Sequence, residues 1–213
     1  MARTKLKRFE EIKDFDNVYE SGTETNWADN IFKNSHPIVL ELGCGKAKFS
    51  IQMATHFKQK NFVAIDRKGE RIWRGAIDAQ KLQLENLAFM QGNIYYIEKD
   101  FLPESISQIW ITFPDPLPKP NNANKRLTHS KFLKRYKQLL TPNGSLHLKT
   151  DSLQLINFSI DEIEKFGGKI TKTILDIYNT PDPIPEHLHF QTDFEKKFLA
   201  KNLPIYYLEA TLS

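Results

Sequence analysis

The chain has 213 residues, 40% apolar and 26% charged, with a formal net charge of +4. That is long enough for one domain with a sizeable core, and the lack of any eighteen-residue apolar run excludes a membrane-spanning helix. The single cysteine, Cys44, excludes an internal disulfide and suits a reducing, cytoplasmic setting, and the basic stretch Met1 to Arg8 lacks the apolar core of a secretory signal.

Residues 1–36 are polar with scattered aromatics (Phe9, Phe15, Tyr19, Trp27, Phe32) and read as an arm or short helices outside the sheet. From Pro37 to the C-terminus buried-strand runs alternate with amphipathic helices, the pattern of an α/β domain with a parallel sheet. Ile38 to Leu42 is the first strand, and Lys46 to Gln59 its helix. Phe62 to Ile65 is a second strand ending at Asp66, followed by a helix carrying Ile72, Trp73, Ala76, Ile77, Ala79 and Leu84. Leu87 to Met90 is a third strand, before Gly92-Asn93. Gln108 to Phe113 is the fourth, stopped by Pro114-Asp115-Pro116-Leu117-Pro118 because successive prolines cannot donate to a ladder. A helix runs from Thr128 to Leu140, Thr141 to Gly144 is a turn, and Ser145 to Leu148 is the fifth strand, leading to Asp151. Ile156 to Phe166 is helical and ends at Gly167-Gly168; Lys169 to Tyr178 alternates as a strand. A proline-rich loop, Thr180 to His189, precedes a short helix from Thr192 to Lys201 and a last strand from Ile205 to Thr211.

The strands of this reading end in polar groups: Glu41, Asp66, Asn93, Asp115 and Asp151. In an open α/β sheet those ends share one edge, where ligands bind; an isolated carboxylate there would instead be a helix cap or turn former. The turn after the first strand is Glu41-Leu42-Gly43-Cys44-Gly45, in which Gly43 and Gly45 leave room for a ligand against the backbone. Lys48 stands where the dinucleotide fingerprint needs its third glycine. An acid at this strand end repels a pyrophosphate and suits a cation, and Asp66, 21 residues beyond Gly45, is placed to accept ribose hydroxyls. A ribose together with a positive charge points to S-adenosyl-L-methionine. Cys44 reads as a small residue filling the turn.

Positive charge is clustered. Lys119, Lys125, Arg126, Lys131, Lys134, Arg135 and Lys137 fall in a stretch without an acid, and Arg3, Lys5, Lys7, Arg8 and Lys13 add to it. Such clusters favour a polyanion through phosphate neutralisation, and equally fit a solvated helix face. His187 and His189 have no cysteine or further histidine beside them, so no metal site is expected.

Glu41 to Gly45 resembles the first motif of class I S-adenosylmethionine-dependent methyltransferases. Phe113-Pro114-Asp115-Pro116-Leu117-Pro118-Lys119, Lys125-Arg126-Leu127, Lys149-Thr150-Asp151 and Thr192-Asp193-Phe194-Glu195-Lys196-Lys197-Phe198 resemble the bacterial tRNA (guanine-N7)-methyltransferases, from about Pro37 to the C-terminus. That resemblance implies a Rossmann-like, seven-stranded, mostly parallel sheet with helices on both faces and an antiparallel C-terminal strand. It implies methylation of a guanosine in the tRNA variable loop. Glu41, Asp66, Asn93 and Asp115 would line the cofactor pocket, and Lys119, Asp151 and Thr192, Asp193, Phe194 and Glu195 would contact the substrate. The chain departs from the family pattern at Leu117, usually aromatic, at Pro120 to Asn124, usually a basic run, and at Asn93, often Asp.

The residues suit that chemistry. Guanine N7 carries a free lone pair, so it attacks a sulfonium methyl without a base. Asp115 is the expected catalytic group, stabilising the cationic product, with Asp151 or Glu195 orienting the base and Lys119, Lys125 and Arg126 on phosphates. A methyltransferase acting on a small molecule or protein, and a non-catalytic RNA-binding module of the same fold, stay open as alternatives. So does the choice between monomer and homodimer.

Overall fold

The computed structural model describes Arg8, residues 10–22 and residues 25–212. Arg3, Lys5, Lys7, Phe9 and the side chain of Lys13 lie outside the described residues. The chain forms two compact units, Met1–Leu102 and Pro103–Ser213.

In the first unit, β1 (Val18–Glu20), β4 (Leu87–Gln91), β3 (Asn61–Asp66) and β2 (Ile38–Leu42) lie side by side in that order, all parallel. Every residue of β2 and β3 is buried, as expected of parallel strands covered on both faces. The crossovers are α1 (Lys48–His56), which buries Phe49, Ile51, Met53 and Ala54, and α2 (Gly69–Lys81), which buries Ile72, Ala76 and Ala79. Their apolar residues recur at helical spacing, so one stripe of each helix faces inward.

β1 comes from the stretch expected to lie outside the sheet. Val18 to Glu20 pair with Phe89 to Gln91, and three residues are too few to show a strand period. The segment around it is fixed by Trp27, whose ring stacks on Phe101 at 5.1 Å and whose indole N–H donates to Asp100 O at 2.9 Å. The buried Asp100 carboxylate in turn accepts from Ser21 Oγ at 2.9 Å and Gly22 N at 2.8 Å.

In the second unit the order is β5 (Ile106–Thr112), β6 (Leu140–Thr150), β8 (Tyr206–Thr211), β7 (Lys169–Ile174). β5 and β6 are parallel; β8 is antiparallel to both β6 and β7. The helices are α3 (Ser130–Leu139), α4 (Leu153–Phe166) and α5 (Asp193–Leu199). Gly167, at φ 90°, ends α4. The turn expected at Thr141 to Gly144 is instead a bulge inside β6. Leu140 pairs with Ile106 and Ser145 already with Gln108, so the register jumps across those residues. A Cβ on Gly144 would lie 2.9 Å from the Leu140 side chain, which shows how tightly the bulge folds back. With β1 counted there are eight strands among the described residues, four in each unit, where the sequence pattern predicts seven.

Candidate active site

The strand ends of the first unit carry Glu41, Asp66 and Asn93. β2, β3 and β4 are in register and parallel, so the three leave the same edge. Gly43 and Gly45 follow β2 with φ of 75° and 57°, and a Cβ added to either would meet nothing within 4 Å. The turn is therefore left-handed because the chain must reverse, and the space above it is open to a ligand.

Glu41, expected to line the cofactor pocket, is only 3% exposed, and its Oε2 accepts from Ser50 N at 3.2 Å and from Ser50 Oγ. Ser50 is the third residue of α1, so this carboxylate occupies the helix N-terminus that would otherwise receive a pyrophosphate. Lys48 pairs with Asp78 of α2 at 2.8 Å, so it ties α1 to α2. Asp66 is 5% exposed; Oδ2 accepts from Gly45 N at 3.0 Å and Oδ1 from Lys68 N at 2.8 Å, with Arg71 at 3.7 Å. Asn93 is exposed, and its Oδ1 accepts from Tyr95 N at 3.1 Å. Cys44 is buried in the turn; burial first, then Glu41 and Asp66, push its thiol well above the usual range, so it is a poor nucleophile.

A glycine that sequence reasoning missed shapes this turn from behind. A Cβ on Gly75 of α2 would lie 2.9 Å from Lys46 O, 2.9 Å from the Phe89 ring and 3.2 Å from Ala47 Cβ. α2 can approach the turn only because residue 75 has no side chain.

In the second unit, Asp115 and Asp151 leave the same end of neighbouring parallel strands, since Thr112 of β5 lies opposite Lys149 of β6. Asp115 is exposed, and its Oδ1 accepts from Leu117 N at 3.1 Å. It is bracketed by two left-handed residues, Phe113 at φ 47° and Leu117 at φ 45°. Such conformations cost about 1–3 kcal/mol each in a non-glycine residue and persist only where surroundings enforce them. The enforcing contacts are visible. Phe113 N donates to Lys149 O at 2.8 Å, and the Phe113 ring stacks on Phe198 of α5 at 5.8 Å.

Arg126 supplies the remaining hold and corrects the sequence reading. It was expected on RNA phosphates, but it is 5% exposed beneath the loop. Nε donates to Pro116 O at 3.2 Å, Nη2 to Leu117 O at 3.0 Å, and the guanidinium lies 4.3 Å from the Phe158 ring centre. Its planar fork reads the carbonyls of the proline loop, which no strand partner satisfies. Lys119 and Lys125 are exposed, with Lys125 Nζ 3.2 Å from Asn122 Oδ1. Pro120–Lys125 forms a 3-10 turn.

Thr192 caps α5 and forms a reciprocal capping box with Glu195. Phe194 is 54% exposed, and Asp193 and Asp151 are half-buried. Burial raises the Asp151 carboxyl above its ordinary range. Glu195 is inaccessible. It is fully buried, and Oε1 takes Lys149 Nζ at 2.6 Å and the Tyr178 hydroxyl at 2.9 Å, so it serves the architecture around α5. Lys149 belongs to the Lys149-Thr150-Asp151 motif, where the sequence reading assigns it no role; a lysine in an apolar strand run is the signal for one.

Comparison with known proteins shows the fold and the family. Solved structures share the fold. The 16S rRNA methyltransferase KamB matches with a TM-score of 0.68 over 91% of this chain and 95% of its own, at 13% identity. A 16S rRNA (adenine(1408)-N(1))-methyltransferase from Catenulisporales acidiphilia, in its crystal structure with cosubstrate SAM, matches with a TM-score of 0.63 over 89% and 92% at 13% identity. The fold is thus that of the class I, S-adenosylmethionine-dependent methyltransferases. At the sequence level, residues 35–208 match a family described as putative methyltransferase. A tRNA (guanine-N(7)-)-methyltransferase of Christiangramia forsetii is 40% identical over 97% of this chain and 97% of its own. Those of Bacteroides fragilis and Clostridium novyi are 35% and 36% identical, covering 100% and 99% of this chain and 87% and 96% of theirs. The chain belongs to the tRNA (guanine-N7)-methyltransferase family, and S-adenosylmethionine is its cofactor. Among the described residues no helix is long and apolar enough to cross a membrane.

Proposed function

We propose that the protein transfers a methyl group from S-adenosylmethionine to N7 of a guanosine in the variable loop of tRNA. The observation that carries this is the fixation of Asp115 between Phe113 and Leu117, with Oδ1 committed to Leu117 N and Oδ2 without a partner among the described residues.

The first unit suits the cofactor. Open space above Gly43 and Gly45 admits a ligand to the backbone. A carboxylate oxygen accepts two hydrogen bonds, so Asp66 can take the ribose hydroxyls while it braces Gly45. Asn93 offers an exposed amide to the adenine edge. Glu41 contributes negative potential under the turn, favouring a cation above it.

Bound S-adenosylmethionine supplies an electrophilic methyl on a sulfonium. With that group bound, the guanine N7 lone pair would become the new N–C bond, and the C–S bonding pair would stay on sulfur. No proton moves, and the positive charge passes from sulfur to the base. Asp115 stabilises that charge from a preorganised carboxylate. Asp151 orients the base by accepting from its N1 and N2 donors, Thr192 and Asp193 present polar groups at the start of α5, and Phe194 offers a stacking face. Lys119 and Lys125 meet phosphates, giving affinity without sequence reading. Glu195 acts on the base through the helix that it caps.

A tRNA carrying 7-deazaguanosine at the variable-loop acceptor tests the reading. It has carbon in place of N7 and should receive no methyl group, while the matched guanosine tRNA does. Equal transfer to both would refute attack by N7.

A further inference from the structure

Lys149 is the second-last residue of β6, paired with Thr112 of β5 on one side and Tyr207 of β8 on the other, and it is 0% exposed. A lysine in a central strand is expensive, because an ammonium loses its hydration there, and an apolar residue of similar length would often be more stabilising. The three protons of this ammonium all find acceptors: Leu188 O at 2.6 Å, Phe190 O at 3.1 Å and Glu195 Oε1 at 2.6 Å. Two of these are carbonyls of a proline-rich stretch that has no strand partner. The third is the carboxylate whose other oxygen accepts from Thr192 N at 3.3 Å. The backbone carbonyl of the same lysine accepts from Phe113 N at 2.8 Å, at the first of the two left-handed residues around Asp115.

One residue therefore holds two segments that are far apart in sequence. We propose that Lys149 is a positioning residue for guanine recognition: its carbonyl fixes the entry to the Asp115 turn while its ammonium fixes residues 188–195, so both are set from the end of β6. The Phe113–Phe198 ring contact joins the two segments a second time. Burial pulls the Lys149 ammonium below its usual range, and the Glu195 carboxylate opposes that pull. The proposal rests on the reading of this unit as the side that recognises the base.

Lys149→Met alone leaves Glu195 buried without its partner and is a poor test if it fails to fold. Lys149→Met combined with Glu195→Gln removes both charges at similar volume. In the full-length double variant, amide exchange at Phe113 and at residues 192–199 should quicken by about tenfold or more, with the amides of β2 and β3 unchanged. KM for tRNA should rise by about tenfold or more while KM for S-adenosylmethionine stays within about twofold. Lys149→Arg, which keeps a cation as a bulkier guanidinium on a three-carbon stem, should recover part of the tRNA KM. Exchange and tRNA KM both at the wild-type level in the double variant would overturn the proposal. A wild-type protein inert toward tRNA would refute the functional reading instead, and the exchange comparison would still decide whether Lys149 couples the two segments.

Discussion

The backbone N–H of Gly45 donates to Oδ2 of Asp66 at 3.0 Å, so the acid proposed to hold the ribose also closes the turn that the cofactor lies against. Loss of this carboxylate removes a ligand contact and leaves a part-buried turn N–H without its acceptor. Asp66→Ala should weaken S-adenosylmethionine binding by about tenfold or more, measured by calorimetry. Unchanged affinity would remove Asp66 from the cofactor site.

Gly75 gives a second prediction, which tests the packing behind the turn. A methyl group at this position meets a backbone carbonyl and an aromatic ring at 2.9 Å, neither of which gives way cheaply. Gly75→Ala should lower stability by about 1–3 kcal/mol, the usual range for overpacking, despite the better helix propensity of alanine. It should also weaken cofactor binding, because α2 must move from Lys46 and Ala47. A thermal melt equal to the wild type would show that α2 relaxes freely.

Much of this was legible in the sequence, and the misses have physical reasons. Buried parallel strands are continuous apolar runs, so β2, β3 and β5 stood out, and the amphipathic stripes of α2 and α3 were equally plain. β1 was missed because three residues carry no period, and the β6 bulge was read as a turn because Pro142-Asn143-Gly144 is turn chemistry in either setting. The ends of the parallel strands could be placed by sequence to within two residues, whereas β7 ends at Ile174 and not at Tyr178; the direction of the side chains could not be placed. Glu41 and Glu195 look like ligand groups in the chain but are turned inward by Ser50 and by Lys149. Arg126 looks like a phosphate contact, and only the fold brings Pro116 and Leu117 carbonyls to it.

Arg126 and Lys125 are neighbours with different assignments, and salt dependence separates them. Lys125→Gln should reduce the slope of log affinity for tRNA against log salt by about one unit or slightly less, as for one lost phosphate contact. Arg126→Gln should leave that slope unchanged and lower kcat by about tenfold or more, because the Asp115 loop loses its anchor. A reduced slope in Arg126→Gln would return it to the RNA surface.

Asp151 ties activity to pH. Its carboxyl is raised by burial above the ordinary value of 3.8. Only the carboxylate can accept from guanine N1 and N2, so kcat/KM for tRNA should fall as pH drops through the raised value, with the acid limb above 3.8. For stability the sign is opposite. A folded pKa above the unfolded one contributes stability that is full below the unfolded pKa and is lost as pH rises through the folded one. Asp151→Asn should therefore hold or raise the melting temperature at neutral pH while abolishing the acid limb and most of the activity. A variant that melts lower and keeps its activity would contradict both assignments.

The central claim is tested most directly by mapping the transferred methyl group. Purified protein is incubated with methyl-labelled S-adenosylmethionine and an unmodified tRNA transcript, and the labelled nucleotide is located. The label should lie on N7 of a guanosine in the variable loop, and Asp115→Ala, with its fold intact and at saturating S-adenosylmethionine, should leave the transcript unlabelled. Label on another atom or outside the variable loop, or full labelling by Asp115→Ala, would contradict the account.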